Sequence, residues 1–168
     1  VKVVQAAAEY DGPMYIRLTG GPNCPIVYTD NYEFEIGRAI ELKVGSEVAV
    51  IANGSMVAPS IAAADLLTQH GVSVGVFNFH TVKPLDEQML TSISKAYGLI
   101  VTVEEHSIIG GLGSAVAEFV SALDKPNRVV RLGHPDYFGK TGEYEFLLQR
   151  YGLTADGIVD SVLTEINK

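Results

Sequence analysis

A chain of 168 residues has room for one domain with an added arm or tail, not for two full domains. A core of that size needs no metal or disulfide staple, and 47% hydrophobic against 19% charged residues excludes a disordered chain. No apolar run reaches membrane-spanning length, and twelve Lys and Arg against twenty Asp and Glu leave a net charge of −8, which argues against nucleic-acid binding and against docking on an anionic membrane.

The opening Val1-Lys2-Val3-Val4 has no initiator methionine. It runs into Gln5-Ala6-Ala7-Ala8-Glu9-Tyr10, which reads as the end of a helix, so a slice of something longer is expected. Asp11-Gly12-Pro13 is a turn signal, and Met14-Tyr15-Ile16-Arg17-Leu18 a short β-type run. The Gly/Pro-rich stretch from Thr19 to about Gly45 reads as a linker. It carries the single cysteine, Cys24, which can neither close an internal disulfide nor build a Cys-rich zinc site. A reducing, cytoplasmic setting follows.

From Glu47 the pattern becomes regular. Val48–Ala52 is the continuous apolar run of a strand covered on both faces. Asn53-Gly54-Ser55 turns the chain, with Ser55 as the expected N-cap of a helix over 56–69. Pro59 fits that helix because it falls in the first turn, and His70-Gly71 ends it. A second strand is predicted over 72–79 and a second helix over 86–97, with Leu85, Met89, Leu90, Ile93 and Tyr97 on one face. A third strand spans 99–103. Gly110-Gly111-Leu112-Gly113 opens a third helix whose apolar residues, Leu112 to Leu123, keep helical spacing. A fourth strand covers 129–132, and a last helix follows Thr154. The alternation predicts an α/β fold with right-handed crossovers, a mostly parallel sheet and helices on both faces.

Ligands bind at the carboxyl ends of strands in such sheets, and Glu104-Glu105-His106 follows the third strand. Two acids beside a histidine suit acid–base work. The competing reading is a polar strand-end cluster that caps the next glycine turn or pairs across an interface. The absence of a nucleophile partner favours that second reading. Gly110, Gly111 and Gly113 open a helix whose N–H groups can hold an anion. Val116 stands where a dinucleotide fingerprint needs its third glycine, and the two glutamates repel a phosphate. Close helix–strand packing is the alternative use of these glycines. Histidines 70, 80, 106 and 134 lack metal-ligand spacing, and G-x-S-x-G is absent. His134-Pro135-Asp136 and Lys140-Thr141-Gly142 read as a surface loop, with Lys140 free to reach an acidic partner.

Five stretches in order resemble the C-terminal part of the thiamine-diphosphate-dependent transketolase family. They are Asp11–Leu18, Glu47–Ser55, Lys83–Asp86, Thr102–Val116, and Phe138–Gly142 with Tyr151–Thr154. The resemblance implies a three-layer α/β domain with a mostly parallel, about five-stranded sheet over 46–168. It implies that residues 1–45 are the tail of a preceding pyrimidine-binding domain plus linker. It also implies a dimeric parent enzyme that moves a two-carbon ketol unit between sugar phosphates. In that family thiamine diphosphate and magnesium are held by a Gly-Asp-Gly segment, and a glutamate activates the aminopyrimidine. Neither element stands here: Tyr10-Asp11-Gly12 and Ala155-Asp156-Gly157 lack the first glycine. The fragment is therefore expected to be a scaffold and dimer-contact module that binds no cofactor and is inactive alone. Its partners would be upstream domains or a subunit of the same enzyme. Arg17 matches the place of a substrate-phosphate arginine in related enzymes, the alternative being an ion pair at the domain junction. An apolar patch near Met14, Ile16 and Leu18, with self-association or disorder there, is expected if the preceding domain is their usual cover. The alternatives are a C-terminal module of a 2-oxoacid dehydrogenase β-subunit or a deoxyxylulose-phosphate synthase, and a free-standing α/β interaction domain.

Overall fold

A computed structural model of the chain describes residues 2–18, 25–29 and 31–168. Cys24 and the turn around it lie outside the described residues. Helix α1 (Lys2–Glu9) buries none of its residues. The Lys2 ammonium lies over the Tyr32 ring, 4.4 Å from its centroid, and donates to Asn31. Tyr32 in turn stacks on Tyr28, and the Asn78 amide donates to the Tyr28 hydroxyl at 2.8 Å. The chain's amino-terminal helix is thus clamped to the end of a core strand.

Met14–Leu18 forms no strand. Its sequence has strand propensity, but a strand exists through a ladder, and no described strand runs beside this one. Met14 and Leu18 are exposed and Ile16 is half-buried.

The sheet has five strands in the order β1-β3-β2-β4-β5. These are β1 (Ile40–Lys43), β2 (Val48–Ala52), β3 (Val74–Asn78), β4 (Leu99–Ser107) and β5 (Arg128–His134). Four run parallel, and β1 joins antiparallel at the edge, opposite β3. Helices α2 (Val57–Gln69), α3 (Glu87–Ala96) and α4 (Leu112–Ser121) make the crossovers. Helices α5 (Tyr144–Arg150) and α6 (Ala155–Ile166) follow the last strand.

The period-2 geometry of a strand explains the two cores. Val48, Val50 and Ala52 of β2 point to one face, with Val74, Val76, Val101 and Val103, against Ala63, Ala64 and Leu67 of α2 and Ile158 and Val162 of α6. Ala49 and Ile51 point to the other face, with Phe77 and Ile100, against Leu90 and Ile93 of α3 and Leu112, Val116 and Val120 of α4. Burial on both faces is why β2 reads as an unbroken apolar run.

Several elements depart from the sequence reading. The expected linker to residue 45 contains β1, whose half-polar Ile-Glu-Leu-Lys suits an edge position and carries no strong strand pattern. Ser55 is no N-cap: it lies inside a 3₁₀ turn (Gly54–Met56) that precedes α2. β4 does not stop at Val103. Its ladder continues to a pairing of Ser107 with His134, after an irregularity, because β5 still runs alongside. Residues 144–150, for which the sequence pattern predicts no element, form α5.

Candidate functional site

Because four strands run parallel, their carboxyl ends gather on one edge. The chain goes from β2 to β3 on one side and then crosses back to β4 on the other. The β2/β4 boundary is therefore the topological switch point, where open α/β sheets form a crevice. The turn after β2 supplies Ser55 there, and β4 supplies Glu104, Glu105 and His106.

The three polar residues have different environments. Glu104 is 2% exposed. Its Oε2 accepts the Leu112 N–H at 2.8 Å and its Oε1 the Gly113 N–H at 2.7 Å. One carboxylate thus occupies the positive end of α4, where an outside anion would otherwise bind. The glycines are required by that contact. A Cβ on Gly111 would collide with the Glu104 carboxyl, its Cδ lying only 2.8 Å away, and one on Gly113 would stand 2.7 Å from Thr102 Oγ1. Gly110 has φ +80°, which glycine adopts without strain. The Gly110 N–H donates to Ser114 Oγ, and Arg131 donates to the Ile108 carbonyl, so the whole turn is stitched internally.

Glu105 stands at this edge and is half-buried. Its Oε2 accepts hydroxyls from Ser55 and, at 2.8 Å, from Tyr144 of α5. The Arg17 guanidinium reaches its backbone carbonyl at 3.5 Å, a long contact. His106 is exposed, its Nδ1 3.0 Å from the Ser107 carbonyl. The structure therefore brings the Ser55 and Tyr144 hydroxyls to the Glu105 side chain and Arg17 to its backbone carbonyl, while Glu104 and the glycines form a separate helix-capping cluster beside it. Ser55, expected as a helix cap, and Tyr144 are not expected at this site from the sequence. The spacing of Tyr144, Leu147 and Leu148 was the available sign of α5, but nothing local pointed Tyr144 at Glu105.

The remaining histidines are spread over the molecule. His70 ends α2. His80 stacks on Phe34 with centroids 4.3 Å apart, and its Nδ1 lies 2.9 Å from Thr81 Oγ1. Burial holds this imidazole below its ordinary pKa, opposed by a backbone contact at Arg38. His134 packs against Tyr137 and Tyr151. Among the described residues no group of three or more His, Cys, Asp or Glu is placed to hold a metal ion.

The described residues do not fit a metal–diphosphate group. Asp156 lies in the first turn of α6, next to Gly157, where a Cβ would stand 2.7 Å from the backbone of Gly152. Glu104, the most buried acid of the edge, is spent on two amides.

Residues 37–158 match the family described as transketolase, C-terminal domain. The chain is 42% identical over 150 residues to 6-deoxy-6-sulfo-D-fructose transketolase subunit SqwH of Clostridium sp. (strain MSTE9), covering 89% of this chain and 46% of that protein. It is 38% identical over 163 residues to 1-deoxy-D-xylulose-5-phosphate synthase of Caldanaerobacter subterraneus subsp. tengcongensis, covering 97% of this chain and 26% of that protein. A solved structure described as a split gene transketolase, inactive beta4 tetramer, superposes with a TM-score of 0.90 at 41% identity, covering 96% of this chain and 52% of that one. The chain thus spans about half the length, or less, of the proteins it matches.

Proposed function

This chain belongs to the transketolase C-terminal domain family, and we propose that it is the architectural section of a thiamine-diphosphate-dependent transferase moving a two-carbon ketol unit between sugar phosphates. The reacting parts sit elsewhere in the parent enzyme, in upstream domains or a second subunit. One observation carries this reading: Glu104, the buried acid of the carboxyl edge, is engaged in holding the fold. Glu104 anchors the first amides of α4, and Glu105 receives the hydroxyls of Ser55 and Tyr144. A general acid or base needs its carboxyl open to a substrate proton.

In this reading the chain supplies scaffold and subunit contacts, homodimeric in the assembled enzyme. The segment before β1 is the tail of the preceding domain with its linker, and β1 (Ile40–Lys43) already belongs to this domain's sheet. Thiamine diphosphate and magnesium are bound by the rest of the enzyme, where the cofactor supplies carbanion chemistry. Arg17 reaches the Glu105 carbonyl, and in this reading it serves the junction with the preceding domain.

A section of a deoxyxylulose-phosphate synthase is the second reading, favoured by 38% identity to such an enzyme over nearly the whole chain. Calorimetric titration of the isolated chain with thiamine diphosphate and magnesium tests the shared core of both. No micromolar binding is expected, and micromolar binding would overturn it. Ketol transfer from a sugar phosphate, against condensation of pyruvate with a triose phosphate, measured on the assembled enzyme, separates the two readings.

A further inference from the structure

Residues 135–150 leave the sheet after β5 and come back at Tyr151. The ends of this excursion meet. His134 and Tyr151 have ring centroids 4.5 Å apart, and Tyr137 completes the group at 5.5 and 6.3 Å. Gly139 lies on them: a Cβ there would stand 2.8 Å from His134 Nε2 and 3.1 Å from Tyr151 Oη. The Lys140 N–H donates to the same Tyr151 hydroxyl at 3.3 Å. A compact segment with touching ends is an Ω-type loop.

The outer part is built differently. Helix α5 contains no buried residue, and Leu147 and Leu148 are only half-buried. Tyr137, Phe138, Tyr144 and Phe146 are exposed, Phe138 completely. A segment with so little buried apolar area opens at far lower cost than the domain unfolds. The Tyr144 hydroxyl ties it to the sheet through Glu105 Oε2. That oxygen also takes the Ser55 hydroxyl, so it receives one donor from the β2 side of the switch point and one from the loop, while itself standing on β4.

We propose that residues 135–150 form a strap, hinged at its His134–Tyr151 base and latched by Tyr144 on Glu105, that closes over the carboxyl ends of β2 and β4. Closed, the strap occupies an acceptor site of Glu105. Open, it leaves a carboxylate with free acceptor capacity beside the Ser55 hydroxyl. A hydrogen bond to a charged acceptor is about twice as strong as a neutral one, which makes Glu105 the element that sets how often the strap opens.

Amide hydrogen exchange on the full 168-residue chain tests this. Tyr144→Phe removes one oxygen from an exposed ring, and Glu105→Gln removes the charge of the acceptor. Both are expected to raise exchange over 140–150 by about tenfold, the effect of losing roughly one such bond, and to leave the amides of β2, β3 and the inner part of β4 unchanged. Exchange over 140–150 within twofold of wild type in Tyr144→Phe overturns the latch. So does an increase in that variant spread evenly through the sheet, which would make Tyr144 a general stabiliser. Tyr144→Phe keeps the test decisive where Glu105→Gln also disturbs Ser55.

Discussion

Glu104→Gln is the sharpest perturbation of the carboxyl edge. The side chain is 2% exposed, and each carboxylate oxygen accepts one amide, Leu112 at 2.8 Å and Gly113 at 2.7 Å. Glutamine keeps the shape but has one oxygen. Its amide nitrogen must then face the second N–H, donor against donor. The loss is one hydrogen bond to a charged acceptor, about 1.5–3 kcal/mol, and the attraction between a carboxylate and a helix N-terminus, about 0.3–2 kcal/mol. Relief of the buried charge's desolvation offsets part of this, leaving about 3 kcal/mol. For a chain of this length 1 kcal/mol moves Tm by about 2–4 °C, so a fall of about 6–12 °C is expected. Urea unfolding followed by circular dichroism gives the free energy, and a thermal scan gives Tm. A loss below about 1 kcal/mol would refute the reasoning, because the two amides would then be satisfied without the carboxylate.

Three further outcomes follow from the same geometry. Gly111→Ala drives a Cβ into the Glu104 carboxyl and is expected to cost about 2 kcal/mol in the same assay; a neutral result would mean that the carboxylate is free to move. Ile158→Ala opens a cavity between α6 and the sheet, where Ile158 is 0% exposed, and should cost about 2–5 kcal/mol, with an urea midpoint near wild type counting against the packing described. His80 prefers the neutral ring in the folded chain. Its contribution to stability is therefore whole above the unfolded value of about 6.5 and is lost as pH falls toward the lower folded value. His80→Phe should flatten the urea midpoint against pH below about pH 6.5; an unchanged slope would place the proton uptake on another histidine.

Much of the architecture is legible in local pattern. Val48–Ala52 coincides with β2 because a strand buried on both faces has no room for a polar residue. Asp86 and Thr154 announce α3 and α6, and each side chain accepts the amide three residues on. Gly71, at φ +77°, closes α2 in the conformation that glycine favours. The four parallel strands and their crossover helices follow from the alternation of these signals.

The failures also have a physical cause. Ile40–Lys43 is a strand only because β3 offers a free edge, opposite which it pairs. Met14–Leu18 has the better strand composition, yet no described strand pairs with it. Two neighbouring glutamates with similar sequence surroundings take separate tasks, Glu104 beneath α4 and Glu105 beside Tyr144, because alternate residues of a strand face opposite sides.

Local periodicity assigns residues to helices, strands and faces, since the backbone repeat alone dictates which side chains share a side. It cannot say which distant group each one meets. Ser55 and Tyr144 reach Glu105 from 50 and 39 positions away. Those meetings depend on strand order and on the path of the loop after β5, and they exist only once the β2 turn, β4 and α5 have been brought to the same edge.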